Sequence, residues 1–361
     1  MTERLSALLH READGLDVPP PSAGPVLAQG RTLRRRRRLA TLGAAASVLV
    51  VVGGLGAVAL GGDDPSEPTP ARSVDGPVDT GVTFALGATV YYDDATKQAT
   101  IDDKAVKSLY YTSAGVLVRH GNNSYSDGGG PQRFSLLRPD GTLSPVSVET
   151  EETVHATDPA QPYVAYAQDA GGTVEVVVHD VDTDTEVARV PVPGAAASFL
   201  PVALSGDHVY LGAEMDDFVI DWRTGEISQP RIVQGFPDVA GGRFTTSEPK
   251  QIQVRDAKTG APLLTVPVSG YVYVTLSPDG RYAALDQDAK SDIDVYDVDA
   301  GSHVTIPGGS SYGWTVDDEL FRLTRTGLDT CAAATGECSS TALDLPGRVG
   351  EAQLGGRTYE S

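Results

Sequence analysis

Along most of the chain, apolar and polar residues alternate in short runs broken by Gly, Asp and Pro. From about Thr83 onward this two-residue period predicts β-strands joined by tight turns, with no long helical pattern. One element recurs: an alternating strand ending in Asp, a four-residue turn, then another strand. It reads VIDWRTGEIS at Val219–Ser228, VRDAKTGAPLLTV at Val254–Val266 and VYDVDAGSHVTI at Val295–Ile306. VHDVDTDTEVARV at Val178–Val190 puts Asp184 at the last turn position, where those three have Gly225, Gly260 and Gly301. Tyr91–Ile101 puts Lys97 there, and two weaker copies reach Gly141 and Gly336. The turn needs positive φ, which Gly supplies freely and Asp tolerates.

Those seven anchors lie 44, 43, 41, 35, 41 and 35 residues apart. A period near 40 built only of strands predicts four-stranded propeller blades, and seven anchors predict seven of them. The fold expected is all-β: a seven-bladed β-propeller over residues 83–361. The first hairpin comes too early to have a full set of strands before it, and residues 350–361 are too few for a blade. Joining the two partial blades closes the ring and removes two open sheet edges.

A different pattern occupies the first 82 residues. Leu39–Leu60 (LATLGAAASVLVVVGGLGAVAL) carries no charge, and at about 1.5 Å per residue it matches a bilayer core of about 30 Å. Arg34, Arg35, Arg36, Arg37 and Arg38 precede it, and Asp63 and Asp64 follow. The expectation is one transmembrane helix with the N-terminus in the cytoplasm and the rest of the chain outside. The rival is a cleaved signal peptide ending near Ala57-Val58-Ala59, against which the run is long and the preceding 38 residues are many. Within residues 1–38, Leu5, Leu8 and Leu9 share one face of a short amphipathic helix, a docking surface for a cytoplasmic protein. Residues 61–82, rich in Pro, Gly and acid, read as a stalk.

Charge reinforces this division. The 361 residues carry a net charge of −21, yet residues 1–38 hold eight Arg against four acids. A body that acidic excludes a nucleic-acid partner, which needs clustered Arg and Lys. The partners expected are the membrane, crossed once, and an envelope protein, glycan or small ligand.

Candidate chemistry is sparse. Cys331 and Cys338 flank a hairpin turn and are expected to form a disulfide outside the cell; a metal pair would need His or further Cys nearby. Gly309-x-Ser311-x-Gly313 fits the nucleophile-elbow pattern but lacks its strand-to-helix context. Asp180-x-Asp182-x-Asp184 resembles the start of a calcium loop, yet the sixth and twelfth places hold Thr185 and Pro191 rather than Gly and Glu. Turn chemistry accounts for it, as for Asp93-Asp94 and Asp216-Asp217. The histidines, at 10, 120, 155, 179, 208 and 303, show no ligand spacing. His120–Pro131 (HGNNSYSDGGGP) is a polar loop suited to a rim contact or to none. No cofactor, metal or catalytic set emerges.

At Thr275–Arg281 the chain reads TLSPDGR, and VYDVDAG follows at Val295–Gly301. Here it resembles the WD40-like (TolB-type) β-propeller repeat, whose second strand is entered through Ser-Pro-Asp-Gly and whose outer hairpin carries Asp-x-x-x-Gly. Ser205-Gly206-Asp207 and Thr157-Asp158-Pro159 are degenerate versions, and the Gly-His and Trp-Asp dipeptides of eukaryotic WD40 blades are absent. The resemblance implies an architecture over residues 83–361 rather than an activity. The function expected is a membrane-anchored, extracytoplasmic, non-enzymatic binding module. A transmembrane signalling regulator is the alternative, because the layout resembles actinobacterial single-pass regulators of the anti-sigma type; the zinc-binding His and Cys pattern of that family is absent from residues 1–38. A propeller hydrolase or lactonase ranks third.

Overall fold

The computed structural model describes residues 78–123, 130–150, 156–195, 200–213, 216–229, 238–248, 250–270, 272–287, 292–308, 312–346 and 349–357. The basic segment, the span at Leu39–Leu60 and residues 61–77 of the stalk lie outside them, as do His10, His155, Gly309 and Ser311. Among the described residues no helix is long and apolar enough to cross a membrane.

Twenty-eight described strands form seven antiparallel sheets of four. The chain is an all-β, seven-bladed propeller. Blades two to seven are sequential and cover residues 105–150, 156–192, 202–228, 239–267, 272–306 and 313–342. Blade one is shared between the two ends of the ring. Its outer three strands are Phe84–Leu86, Thr89–Tyr92 and Lys97–Thr100, and its inner strand is Gln353–Leu354, pairing Phe84 with Leu354 and Ala85 with Gln353.

Burial follows position in the blade. The inner strand of blade two, Ala105–Thr112, is buried at every residue, because it faces neighbours on both sides. Outer strands alternate, as Pro262–Pro267 shows by burying only Leu264 and Val266. Apolar clusters fill the seams between blades: Ala85 and Val90 of blade one, for example, pack with Val116 and Val118 of blade two. At about 25 cal/mol per Å² of apolar area, these seams dominate the stability of the ring.

The repeated hairpin joins the third and outer strands of each blade. Asp221, Asp256 and Asp297 each accept two backbone N–H bonds from their own turns, at 2.7–3.1 Å. The amide of the residue four later, Gly225, Gly260 or Gly301, then donates to the same aspartate's carbonyl at 2.8 Å. Gly141, Asp184, Gly225, Gly260, Gly301 and Gly336 all have positive φ. Lys97 does not hold that place: it is the first residue of its outer strand, paired with Tyr92, and the left-handed residues are Asp93, Asp94 and Ala95. Three successive left-handed residues make this turn over the same four-residue span, Tyr92 pairing with Lys97 as Asp221 pairs with Glu226.

The packed body also starts earlier than composition implies. Thr80 and Val82 are buried, Asp93 N donates to Thr80 O, and Val82 N donates to Asp94 Oδ1. Residues 80–82 are therefore part of blade one rather than stalk. Cys331 and Cys338 are register partners across the last hairpin and form a disulfide.

Candidate binding site at the channel mouth

In blades two to seven each inner strand hands over to the second strand through a tight turn, and these turns lie on the same face of the ring as the Asp hairpins. Hydrogen bonds link the turns of successive blades. Ser113 N donates to Gln161 O (3.1 Å) between blades two and three, and Gly206 N to Asp158 Oδ2 (2.8 Å) between three and four. Gly242 N donates to Ser205 Oγ (2.9 Å) between four and five, and Arg243 Nη1 to Gly280 O (3.1 Å) between five and six. Asp279 N donates to Asp318 Oδ1 (3.4 Å) between six and seven. Trp314 N then donates to Gly355 O (3.2 Å), joining blade seven to the returning strand of blade one. The result is a belt around the mouth of the central channel.

Inside the belt is a mostly apolar cavity of ≈ 70 Å³, walled by Leu109, Tyr111, Ala156, Ala203, Leu276 and Arg357 among others. Burial lowers the Arg357 guanidinium from its ordinary value, opposed by the nearby Tyr273 phenol. Arg357 reaches this place because Gly355 and Gly356 press flat between the blades. A Cβ on Gly355 would stand 2.6 Å from the Tyr111 hydroxyl, and one on Gly356 would stand 2.4 Å from Trp314 O. Apolar walls with a few fixed polar groups are the usual make-up of a ligand site.

The opposite face holds the arrangement that most resembles catalytic machinery. His120 Nδ1 lies 2.9 Å from Asp103 Oδ2, and its Nε2 lies 3.0 Å from Ser135 Oγ. That is the order of a nucleophile–base–acid triad. Burial pushes the Asp103 carboxyl up, but hydrogen bonds from His120 and Arg133 outweigh it and hold the group below its ordinary value. The Ser135 hydroxyl, however, lies beneath the surface. Ser135 is only 7 % exposed, and its register partner Val118 packs into the seam with blade one. The network fastens the loop at 101–104 to blade two.

The remaining candidates resolve into turn and seam contacts. Asp180 caps its own turn, Asp182 pairs with Arg138, and Asp184 accepts from His179 Nε2 and from Ser147 N and Oγ. For Asp184 too, burial raises the carboxyl, and the bond from Ser147 N leads the set that brings it below its ordinary value. Among the described residues no group of three His, Cys, Asp or Glu is placed to hold a metal. The channel cavity and the belt have no local signature, because each blade supplies only one or two of their residues. The Ser-Pro-Asp-Gly turn and its degenerate copies were the visible hints: Asp279, Ser205, Gly206 and Asp158 are all belt residues.

No family model matches the chain, and no curated protein is significantly similar to it. Among solved structures, Hsv2 of Kluyveromyces lactis is 14 % identical, with 63 % of this chain and 74 % of that one covered at a TM-score of 0.44. Hydrazine synthase of Kuenenia stuttgartiensis is 13 % identical, with 63 % and 76 % covered at 0.42. Overlaps this loose carry no argument about activity; the class is a seven-bladed β-propeller on its own strand order.

Proposed function

We propose that this chain is a single-pass membrane protein whose propeller, of the WD40-like TolB type, lies outside the cytoplasm and binds a ligand at the channel mouth without turning it over. The observation that carries the binding reading is the apolar cavity enclosed by the belt of turns. The blade type is supported by Ser277-Pro278-Asp279-Gly280 standing between the inner and second strands of blade six, where that repeat has it. The burial of Ser135 favours binding over hydrolysis. Membrane anchoring rests on the uncharged Leu39–Leu60 stretch and the five arginines before it.

A second reading adds signalling: the leucine face at Leu5, Leu8 and Leu9 docks a cytoplasmic protein and reports occupancy of the propeller. Two experiments on the full chain in cells test these points. A cysteine at Asp63 should react with a membrane-impermeant maleimide while one at Thr32 does not; equal reactivity refutes the orientation. A photocrosslinking residue at Thr157 should give a discrete adduct absent when the same residue replaces Gln98 on the outer strand of blade one. Identical adducts at both positions, or none at either, count against a ligand site in the channel.

A further inference from the structure

The walls of the channel cavity are chemically uneven, and the unevenness points to a class of ligand. The inner strands of five successive blades supply apolar wall: Leu109 and Tyr111, then Ala156, Ala203, Val239 and Leu276. Among the described residues that wall the cavity, Arg357 is the one with a charged side chain. Its sign runs against that of the chain, whose net charge is −21.

A fixed stretch of backbone delivers that charge. Gly355 N donates to Thr83 O at 2.9 Å, and Gly355 O accepts from Trp314 N at 3.2 Å, so blades one and seven hold the chain from both sides. Gly356 follows at φ 67°, pressed against Trp314, and Arg357 comes next. Burial disfavours the charged form of Arg357, yet a guanidinium stays protonated in proteins. An anion brought beside it therefore offsets part of what burial costs.

Charge and size narrow the choice of anion. Asp158, Asp238 and Asp279 each adjoin a wall residue in sequence, and each carboxylate is bonded to backbone of the belt or strands. Asp158 accepts from Ala160 N and Gly206 N, Asp238 from Leu276 N, and Asp279 from Arg281 N. Their negative charge disfavours a dianion such as a phosphate monoester, whereas one carboxylate is balanced by one guanidinium. The cavity of ≈ 70 Å³ is about half the size of the roughly 150 Å³ apolar cavity that takes benzene, so a short aliphatic group fits it better than a ring.

We propose that the channel mouth binds a short aliphatic monocarboxylate, with its carboxylate on the Arg357 guanidinium and its hydrocarbon against Leu109, Ala156, Ala203 and Leu276. The planar fork of a guanidinium meets both carboxylate oxygens at once, which the point charge of an ammonium does not. The inference rests on the channel-mouth reading above and adds the ligand class to it. Membrane anchoring does not enter it.

The test is ligand-observed saturation-transfer NMR on the full-length protein in detergent, titrated with isovalerate, its neutral isostere isovaleramide, isopentylamine and isopentyl phosphate. Isovalerate should bind about tenfold or more tightly than the amide and the phosphate, and the amine should not bind. Arg357→Gln should bring the acid down to the level of the amide while leaving the amide unchanged. Thr157→Leu, which fills the cavity from its wall, should weaken both. If Arg357→Gln does not fold, Arg357→Lys keeps the charge without the fork and should weaken the acid several-fold. Acid and amide binding equally, with both lost in Thr157→Leu, would keep the channel site and overturn the carboxylate. A phosphate that binds more tightly than the acid, or an acid preference that survives the change at Arg357, overturns it as well. If no probe binds, or binding ignores Thr157→Leu, the channel-mouth reading falls and this inference with it.

Discussion

Asp184 stands at a turn position where five other blades have Gly, and its carboxylate explains the exception. It reaches His179 within its own blade and Ser147 in the blade before, a bridge that no Gly provides. Asp184→Ala should lower stability by about 1 kcal/mol in chemical denaturation, the usual net for such bonds at a half-exposed site. Gly260 and Gly280 separate two further effects. Both have positive φ, but a Cβ on Gly260 meets nothing within 4 Å, whereas one on Gly280 lands 2.4 Å from Ala240 O. Gly260→Ala should cost about 1–2 kcal/mol, from backbone strain alone. Gly280→Ala should cost roughly 2–4 kcal/mol, because a neighbouring turn must also move. A smaller loss for Gly280→Ala than for Gly260→Ala would show that the belt yields there.

At the scale of the hairpin, the repeated Asp turn was legible in sequence because it is built from bonds within five residues. That locality fails in blade one, where Asp93, Asp94 and Ala95 make a different turn and Lys97 belongs to the strand. The last hairpin adds a covalent tie between register partners. Replacing Cys331 and Cys338 by Ser should cost about 2.5 kcal/mol if the eight-residue loop acts through chain entropy. A thermal melt of the double variant checks it, and an unchanged melting temperature would place the disulfide outside the cooperative unit. The outer strand it ties is half-exposed, and among the described strands these blade edges have no further partner.

For the whole molecule, closure is the decisive event. Two residues, Gln353 and Leu354, complete blade one, and Gly355 bonds both Thr83 and Trp314 to seat it between blades one and seven. Leu354 packs with Phe84, Phe321 and Leu328 in that seam. Deleting residues 350–361 should therefore lower the melting temperature far more than deleting residues 61–73, and should leave Phe84–Leu86 as an open edge prone to self-association. The loss is about 3 kcal/mol or more, a large share of the 5–15 typical of a domain. Equal melting temperatures for the two deletions would show that the returning strand does not carry the ring.

The repeat of strands, the number of blades and the pairing of the two cysteines were written in the chain, because each depends on residue spacing or on turns that close locally. The start of the packed body was not: Thr80 and Val82 sit in a Pro- and acid-rich stretch and are buried only because the first hairpin folds back over them. The Asp103–His120–Ser135 network and the belt, with its Asp279–Asp318 link, also required the fold. Their members lie 15 to 48 residues apart and meet because the strand ladder and ring curvature bring blade ends together. Spacing within a blade is a local property that alternation and turn residues encode; proximity between blades is set by ring closure, and no run of sequence carries it.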